Sequence, residues 1–213
     1  MAGGFVENPI SQGAGDPGLT LIETLGWDGT SFPRLPLHIA RLTRSAARLG
    51  WPCDPVAATT ALHQAAPKSP ARIRLTLDAT GALTVTSAPL PPAKPLWALT
   101  LAPQRLHSAD PWLSLKSSRR AAYDHARATL PPGIDEAIFL NERDEVCDGS
   151  ITTLFFDRGH GLRTPPLTCG LLPGILRASL ARPEEILAAS DLPHVKLWLG
   201  NSLRGLIPAV WRG

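Results

Sequence analysis

The stretch "LIETLGWDGTSFPRLPLHIARLTRSAARLG", residues 21–50, runs a strand pattern, a turn and a helix pattern together. Within "LTLIETLGWDGTSFPRL", residues 19–35, apolar residues flank Asp28-Gly29, a turn signal, so the segment reads as strand, turn and strand. Beyond Pro36, "LHIARLTRSAARLG" places Ile39, Leu42, Ala46 and Leu49 on one apolar stripe. His38, Arg41 and Arg48 fall on another face, and Gly50 stops the helix. Strands followed by a helix open an α/β reading.

Residues 1–18, on the N-terminal side, are rich in Gly and Pro and read as an irregular arm. They show neither a basic stretch nor an apolar one of the signal-peptide kind. On the C-terminal side, "DPVAATTALHQAA" carries Asp54 as N-cap and Pro55 at the first helical position. "ARIRLTLDATGALTVTSAPL" reads as a β-hairpin around Ala79-Thr80-Gly81. "APLPPAKPL", residues 88–96, is stiff by composition and marks a domain boundary. The expected division is a smaller lobe over 1–90, a linker over 91–95 and a larger lobe over 96–213. In the larger lobe "LWALTLAP" is strand-like and "SSRRAAYDHARATL" helical. "DEAIFLNERDEVCDGSITTLFF" reads as a meander of short strands, "LLPGILRASLA" as a helix, and "HVKLWLGNSLRGLIPAVW" as two strands around a polar turn.

At 213 residues, 44% hydrophobic and 18% charged, the chain has enough apolar material for a real core. A net charge of +3 with scattered arginines gives no basic, aromatic-interleaved patch, which argues against a nucleic-acid partner. No apolar run approaches the roughly 18 residues of a membrane span. The three cysteines are widely spaced and form no CxxC, so neither a disulfide framework nor a zinc site follows, and a cytoplasmic setting is the default.

Arginine outnumbers lysine; only Lys68, Lys94, Lys116 and Lys196 are lysines. Lys116 follows Trp112, Leu113 and Leu115 at the joint before the helical stretch. An amine in apolar surroundings loses solvation of its charged form and becomes available to form a Schiff base with an aldehyde. A snorkelling lysine is the plainer alternative. The free N–H groups of Gly174, Ile175 and Leu176 in "GLLPGILRASLA" could hold a phosphate. Ser202, in "NSLRG", can donate to an anion. Asp148 is either a turn former or, if buried, a partner for an aromatic nitrogen. Arg41 is either an anion ligand or a solvated surface residue. Arg72 and Arg74 alternate on one face of a strand, where they either grip a substrate carboxylate or face solvent.

Taken together and in order, "LIETLGWDGTSFPRLPLHIARLTRSAARLG", "KSSRRAAYD", "DEAIFLNERDEVCDGSITTLFF", "TPPLTCGLLPGILR" and "NSLRG" resemble the class IV pyridoxal-phosphate enzymes. That family includes branched-chain and D-amino-acid aminotransferases and aminodeoxychorismate lyase. The resemblance implies a two-lobed α/β (α+β) fold, D-amino-acid aminotransferase-like, with pyridoxal 5'-phosphate in the interdomain cleft. It matches Lys116 to the lysine that engages the cofactor aldehyde, and Arg41, Ile175, Leu176 and Ser202 to positions around the phosphate. Leu172 matches the apolar residue against the ring. Asp148 stands where the family usually has Glu, partner of the pyridine nitrogen, and Thr153 where an Asn is usual. Homodimers are the family default.

Two stretches, "LIETLGWDG…FPRLPLHIARL" and "LKSSRRAAYD", look most like lyase domains fused to the aminodeoxychorismate synthase component. Position 121 is Ala where branched-chain aminotransferases usually carry Tyr, and a lyase-like Arg120 is present. The resemblance therefore implies a 4-amino-4-deoxychorismate lyase that makes 4-aminobenzoate, a folate precursor, and pairs with the synthase. The alternative is a transaminase acting on a branched-chain or D-amino acid and 2-oxoglutarate. Either acts on a small-molecule amino substrate.

Overall fold

A computed structural model describes residue 10 and residues 13–213. The remainder of the expected N-terminal arm lies outside the described residues. Two β-sheets organise the chain. The first holds β1 (Thr20–Trp27), β2 (Ala71–Asp78) and β3 (Leu83–Pro89), antiparallel and in that order. Helices α1 (Leu35–Leu49) and α2 (Pro55–Gln64) belong to the same unit, and α1 packs on β1. The alternation of β2 explains this side directly. Ala71, Ile73, Leu75 and Leu77 are buried in a core shared with Leu42, Ala46 and Leu62, while Arg72 and Arg74 face the other way. Burying one such leucine stabilises by about 1.5–3 kcal/mol.

The second sheet has six strands in the order β6-β5-β4-β9-β8-β7. They are β4 (Trp97–Leu101), β5 (Glu136–Leu140), β6 (Val146–Gly149), β7 (Thr153–Asp157), β8 (Lys196–Asn201) and β9 (Gly205–Trp211). Strand β4 runs parallel to both its neighbours, and the remaining pairs are antiparallel. Ile138, Leu154, Phe156 and Leu199 build a core on one face. Phe139, Cys147, Cys169 and Leu171 build another, with α3 (Ala121–Ala128) supplying Ala126. The short helix α4 (Ile175–Leu180) touches both β8 and α1, so it lies where the two units meet.

The expected hairpin at 71–89, the Asp54 cap and the closing strand pair are all present. Asp54 accepts from the backbone N–H groups of Val56 and Ala57. Four local readings need correction. No second strand follows Asp28-Gly29. The Asp28 carboxylate accepts from the N–H groups of Thr30 and Ser31, and the chain turns straight into α1, leaving β1 to pair with β2. The helix expected from Ser117 begins only at Ala121, because residues 117–118 are tied to β1. The expected meander is broken. Strands β5 and β6 pair, but β6 and β7 end opposite sides of the sheet order and meet only through a tight turn, where Gly149 N–H donates to Thr152 O. Finally, His38 and Arg41 do not lie on an outer face of α1. They are buried, while Ile39 of the expected stripe is only partly so.

Candidate functional site

Period two along β1 puts Glu23 on the same face as Leu21 and Leu25, toward α1. A carboxylate there is 2% exposed and needs partners. Helix α1 supplies them from positions three apart, which share a helix face. Arg41 Nε donates to Glu23 Oε1 at 2.8 Å and Nη2 donates to Oε2 at 2.7 Å. His38 Nδ1 lies 2.6 Å from Glu23 Oε2. Burial alone would raise the Glu23 carboxyl, but Arg41 and His38 together hold it below its usual range. The His38 ring is 1% exposed, and its Nε2 lies 2.8 Å from Ser202 Oγ. Arg41 Nη1 also donates to Pro173 O at 3.2 Å, and Arg34 reaches both Ser202 O and Ser179 Oγ. One polar cluster thus ties β1 and α1 to the start of α4 and to the β8–β9 turn.

Lys116 arrives by a return of the larger unit to the first sheet. Asp110 caps a 3-10 turn, Pro111–Ser114, by accepting from Trp112 N–H. Trp112 and Leu115 then join the core of the first unit. The open edge of β1 is closed by the next residues. Ile22 N–H donates to Lys116 O, and Ser118 N–H donates to Thr20 O, both at 2.8 Å. Backbone pairing therefore fixes the lysine between the units. Its amine makes no hydrogen bond or ion pair among the described residues, and burial, aided by Arg41, pulls it down to about 8.

Asp148, on β6, is buried, and its Oδ1 has no hydrogen-bond partner among the described residues. The backbone N–H groups of Gly149 and Leu172 lie near enough to favour its charged form. Burial, with the neighbouring Glu136 carboxylate, pushes it well above the usual range. Glu136 is itself buried and accepts from Thr152 Oγ1 at 2.8 Å and from the backbone of Ser150 and Ile151. At the start of α4 the first helical N–H groups, those of Ile175 and Leu176, have no intrahelical acceptor. A Cβ on Gly174 would fall 2.7 Å from Thr153 Oγ1, so the backbone can approach β7 only as glycine.

These side chains share one cavity of about 580 Å³ between the two sheets. All the residues singled out from the sequence line it: Arg41, Lys116, Asp148, Leu172, Ile175, Leu176 and Ser202, with Arg72, Arg74 and Arg120. Arg72 and Arg74 make no hydrogen bond or ion pair among the described residues. Burial and the neighbouring Arg120 and Arg72 lower Arg74 from its ordinary value. Arg120 donates to Asp124 at 2.6 Å and to Ser150 O at 3.1 Å. Several lining residues were not anticipated. They are Tyr123, Arg127 and Arg204; behind the lining, Glu23, which supports Arg41, was not anticipated either. The signal for Glu23 was an acid on the apolar face of "LIETL"; the other three carry no local mark in sequence.

A desolvated amine, an unpartnered buried carboxyl oxygen, outward-facing amides and free guanidinium groups suit a ligand with a carbonyl, a basic ring nitrogen and anionic groups. Comparison with known proteins is consistent with this. Residues 20–210 match the family model described as amino-transferase class IV. A Schizosaccharomyces pombe protein named "Putative aminodeoxychorismate lyase" is 30% identical over 173 residues, which is 78% of this chain and 74% of that protein. A Mesorhizobium loti structure described as a "Putative amino-acid aminotransferase" is 44% identical, with a TM-score of 0.87 over 91% of this chain and 100% of that one. The 4-amino-4-deoxychorismate lyase of Pseudomonas aeruginosa shares the fold at 22% identity, with a TM-score of 0.78 over 90% of this chain and 82% of that one. Among the described residues no helix is long and apolar enough to cross a membrane.

Proposed function

The chain belongs to the class IV amino-transferases, a pyridoxal-phosphate-dependent enzyme family, and from that premise we propose that it is a 4-amino-4-deoxychorismate lyase, expelling pyruvate to leave 4-aminobenzoate. When bound, pyridoxal phosphate supplies an aldehyde for an amine and an electron-poor ring that stabilises the charge left by proton removal. The residues fit it: the unpartnered Oδ1 of Asp148 is an acceptor for the ring nitrogen, and Lys116 offers an unpaired amine. Arg41, Ser202 and the amides of Ile175 and Leu176 would hold the phosphate, and Leu172 would pack on the ring.

Lys116 Nζ, about half neutral near pH 8, is the base that takes the proton from the nitrogen-bearing carbon of the substrate. In the lyase reaction the C–O bond to the enolpyruvyl group then breaks, and a proton returns to the departing three-carbon unit as pyruvate. The observation that carries this reading is the surplus of unpaired arginine in the cavity. Arg72 and Arg74 lie beside Arg120 with no acid paired to either, which suits a substrate bearing two carboxylates. The 30% identity to the S. pombe protein supports it further.

The 44%-identical M. loti chain favours a second reading, transamination of an amino acid. One assay separates them. Pyruvate and 4-aminobenzoate formed from chorismate, glutamine and a synthase select the lyase. Glutamate formed from 2-oxoglutarate with a branched-chain or D-amino acid, and no 4-aminobenzoate, selects the transaminase. The proposal includes a cytoplasmic homodimer working with aminodeoxychorismate synthase. It also retains a lobe division at 91–95, where residues 90–96 contribute no strand or helix between β3 and β4.

A further inference from the structure

We propose that His38 is a positioning residue that couples capture of a phosphate group at Ser202 to the uptake of one proton. The inference rests on the reading that this corner of the cavity holds the cofactor phosphate. It follows from the direction in which Glu23, His38 and Ser202 can hydrogen-bond. Glu23, held as a carboxylate by Arg41, can only accept, so the contact of 2.6 Å fixes the proton of His38 on Nδ1. That leaves Nε2, 2.8 Å from Ser202 Oγ, with two possible states. In the neutral ring Nε2 accepts, the Ser202 proton is spent on it, and the hydroxyl turns only lone pairs toward the cavity. In the charged ring Nε2 donates, Ser202 Oγ accepts, and the hydroxyl proton is released to point at an anion.

The charges around the ring make the choice depend on the ligand. Glu23 of β1 is the one acid on it, already shared with Arg41 of the same helix. Arg34 reaches the Ser202 carbonyl, and Lys116 is coupled to both Arg41 and Glu23. A dianion entering beside Ser202 adds the negative charge that favours a donor on Nε2. A phosphate monoester supplies that charge and accepts the freed Ser202 proton. The chain Glu23–His38–Ser202 thereby presents a donor only when there is an anion to receive it.

Phenyl phosphate tests this on the full-length apoprotein, since it has neither an aldehyde nor a ring nitrogen and is a dianion at pH 8, its second pKa lying near about 6. The background is Lys116→Met, which removes the amine that titrates in the same range. Calorimetric titration in two buffers of different protonation enthalpy reads the protons taken up per ligand bound. The expected result is uptake approaching one proton, with affinity falling as pH rises, toward about tenfold per pH unit at full linkage. Adding Ser202→Ala should weaken binding and cut the uptake by more than half, and adding His38→Gln should do the same. Binding with no proton uptake overturns the proposal while leaving the phosphate site standing, as does uptake unchanged in Ser202→Ala. Failure of Lys116→Met to bind any phosphate overturns both. Ser202→Ala removes a single oxygen from a half-buried turn, so it carries the test even if His38→Gln does not fold.

Discussion

Lys116→Met should make the apoprotein more stable while abolishing its chemistry. In the unfolded chain the amine holds its proton up to its ordinary 10.5, whereas in the folded protein it does so only up to about 8. Below pH 8 the fold therefore confines a charge that would rather be in water. At about 1.36 kcal/mol per pH unit, that gap corresponds to about 3 kcal/mol. The amine faces an open cavity, and water there screens part of the penalty, so about 2 kcal/mol is the working figure. Methionine keeps the length of the side chain and carries no charge to desolvate.

The pH dependence separates this cause from ordinary packing. Between pH 8 and 10.5 the unfolded state binds the proton that the folded state has lost, so wild-type stability rises with pH across that window. The advantage of Lys116→Met should be full below pH 8, shrink through the window and vanish above it, apart from a constant packing difference. The thiols and the tyrosine, which burial raises in the folded protein and which ionise in this range when unfolded, are common to both proteins and cancel in the difference. Urea denaturation of the two apoproteins at intervals from pH 7 to 11 measures it directly. A variant less stable than wild type at pH 7, or a difference that stays flat with pH, would show that the fold does not confine a charged amine at position 116.

Glu23→Gln strands the buried Arg41 and His38, and should cost about 3–5 kcal/mol in denaturant unfolding. Because Glu23 is held below its ordinary 4.5, the deficit should be complete near neutrality and shrink as acid protonates the wild-type carboxyl. Asp148→Asn removes a carboxyl that burial already disfavours as an anion, so the apoprotein should be at least as stable as wild type at pH 7. Turnover should nevertheless fall by about 10²–10³, read in the pyruvate assay. Arg74→Ala should raise KM for a dicarboxylate substrate about tenfold, roughly 1.4 kcal/mol, and leave a monocarboxylate amine unaffected in steady-state kinetics. Gly174→Ala drives a methyl against Thr153 Oγ1 and should cost about 1–3 kcal/mol by thermal unfolding, much of it relieved when Thr153→Ala is added.

What was legible in the sequence followed local rules. The alternation in β2, the Asp54 cap and the Gly50 stop each act within a few residues, and the structure contains them all. The positions proposed to face the cofactor came from the resemblance, which set them in order, and the fold gathers them around a single cavity. What failed required knowing a distant partner. The stretch after Asp28-Gly29 is no strand because β1 has already taken β2 on one side and residues 117–118 on the other. The same pairing delays α3 to Ala121. Arg41 and His38 count as polar on any helical wheel, yet α1 turns them inward because Glu23 waits there on the facing strand. An acid between two leucines at strand spacing was the visible clue, but only the packing of α1 on β1 gives it meaning.

The same cluster shows why this site and this fold are in tension. Arg41 disfavours the charged form of Lys116, and Arg120 does the same to Arg74 elsewhere in the cavity. Glu23 pairs with Arg41, at the cost of burying an ion pair that an apolar substitution could replace. The unpartnered Asp148 oxygen adds a further penalty. Each of these terms changes sign when a ligand brings an anion to the cations and a proton donor to the carboxyl. Any molecule that binds only the folded state stabilises it by mass action, about 2.7 kcal/mol at a hundred times its Kd. The elements that bear the strain are β1, α1, residues 116–118 and the start of α4, which are also the ones that join the two sheets. Cofactor binding should therefore protect the amides of these segments from hydrogen exchange far more than those of β5 and β9, whose packing does not depend on the cavity being filled.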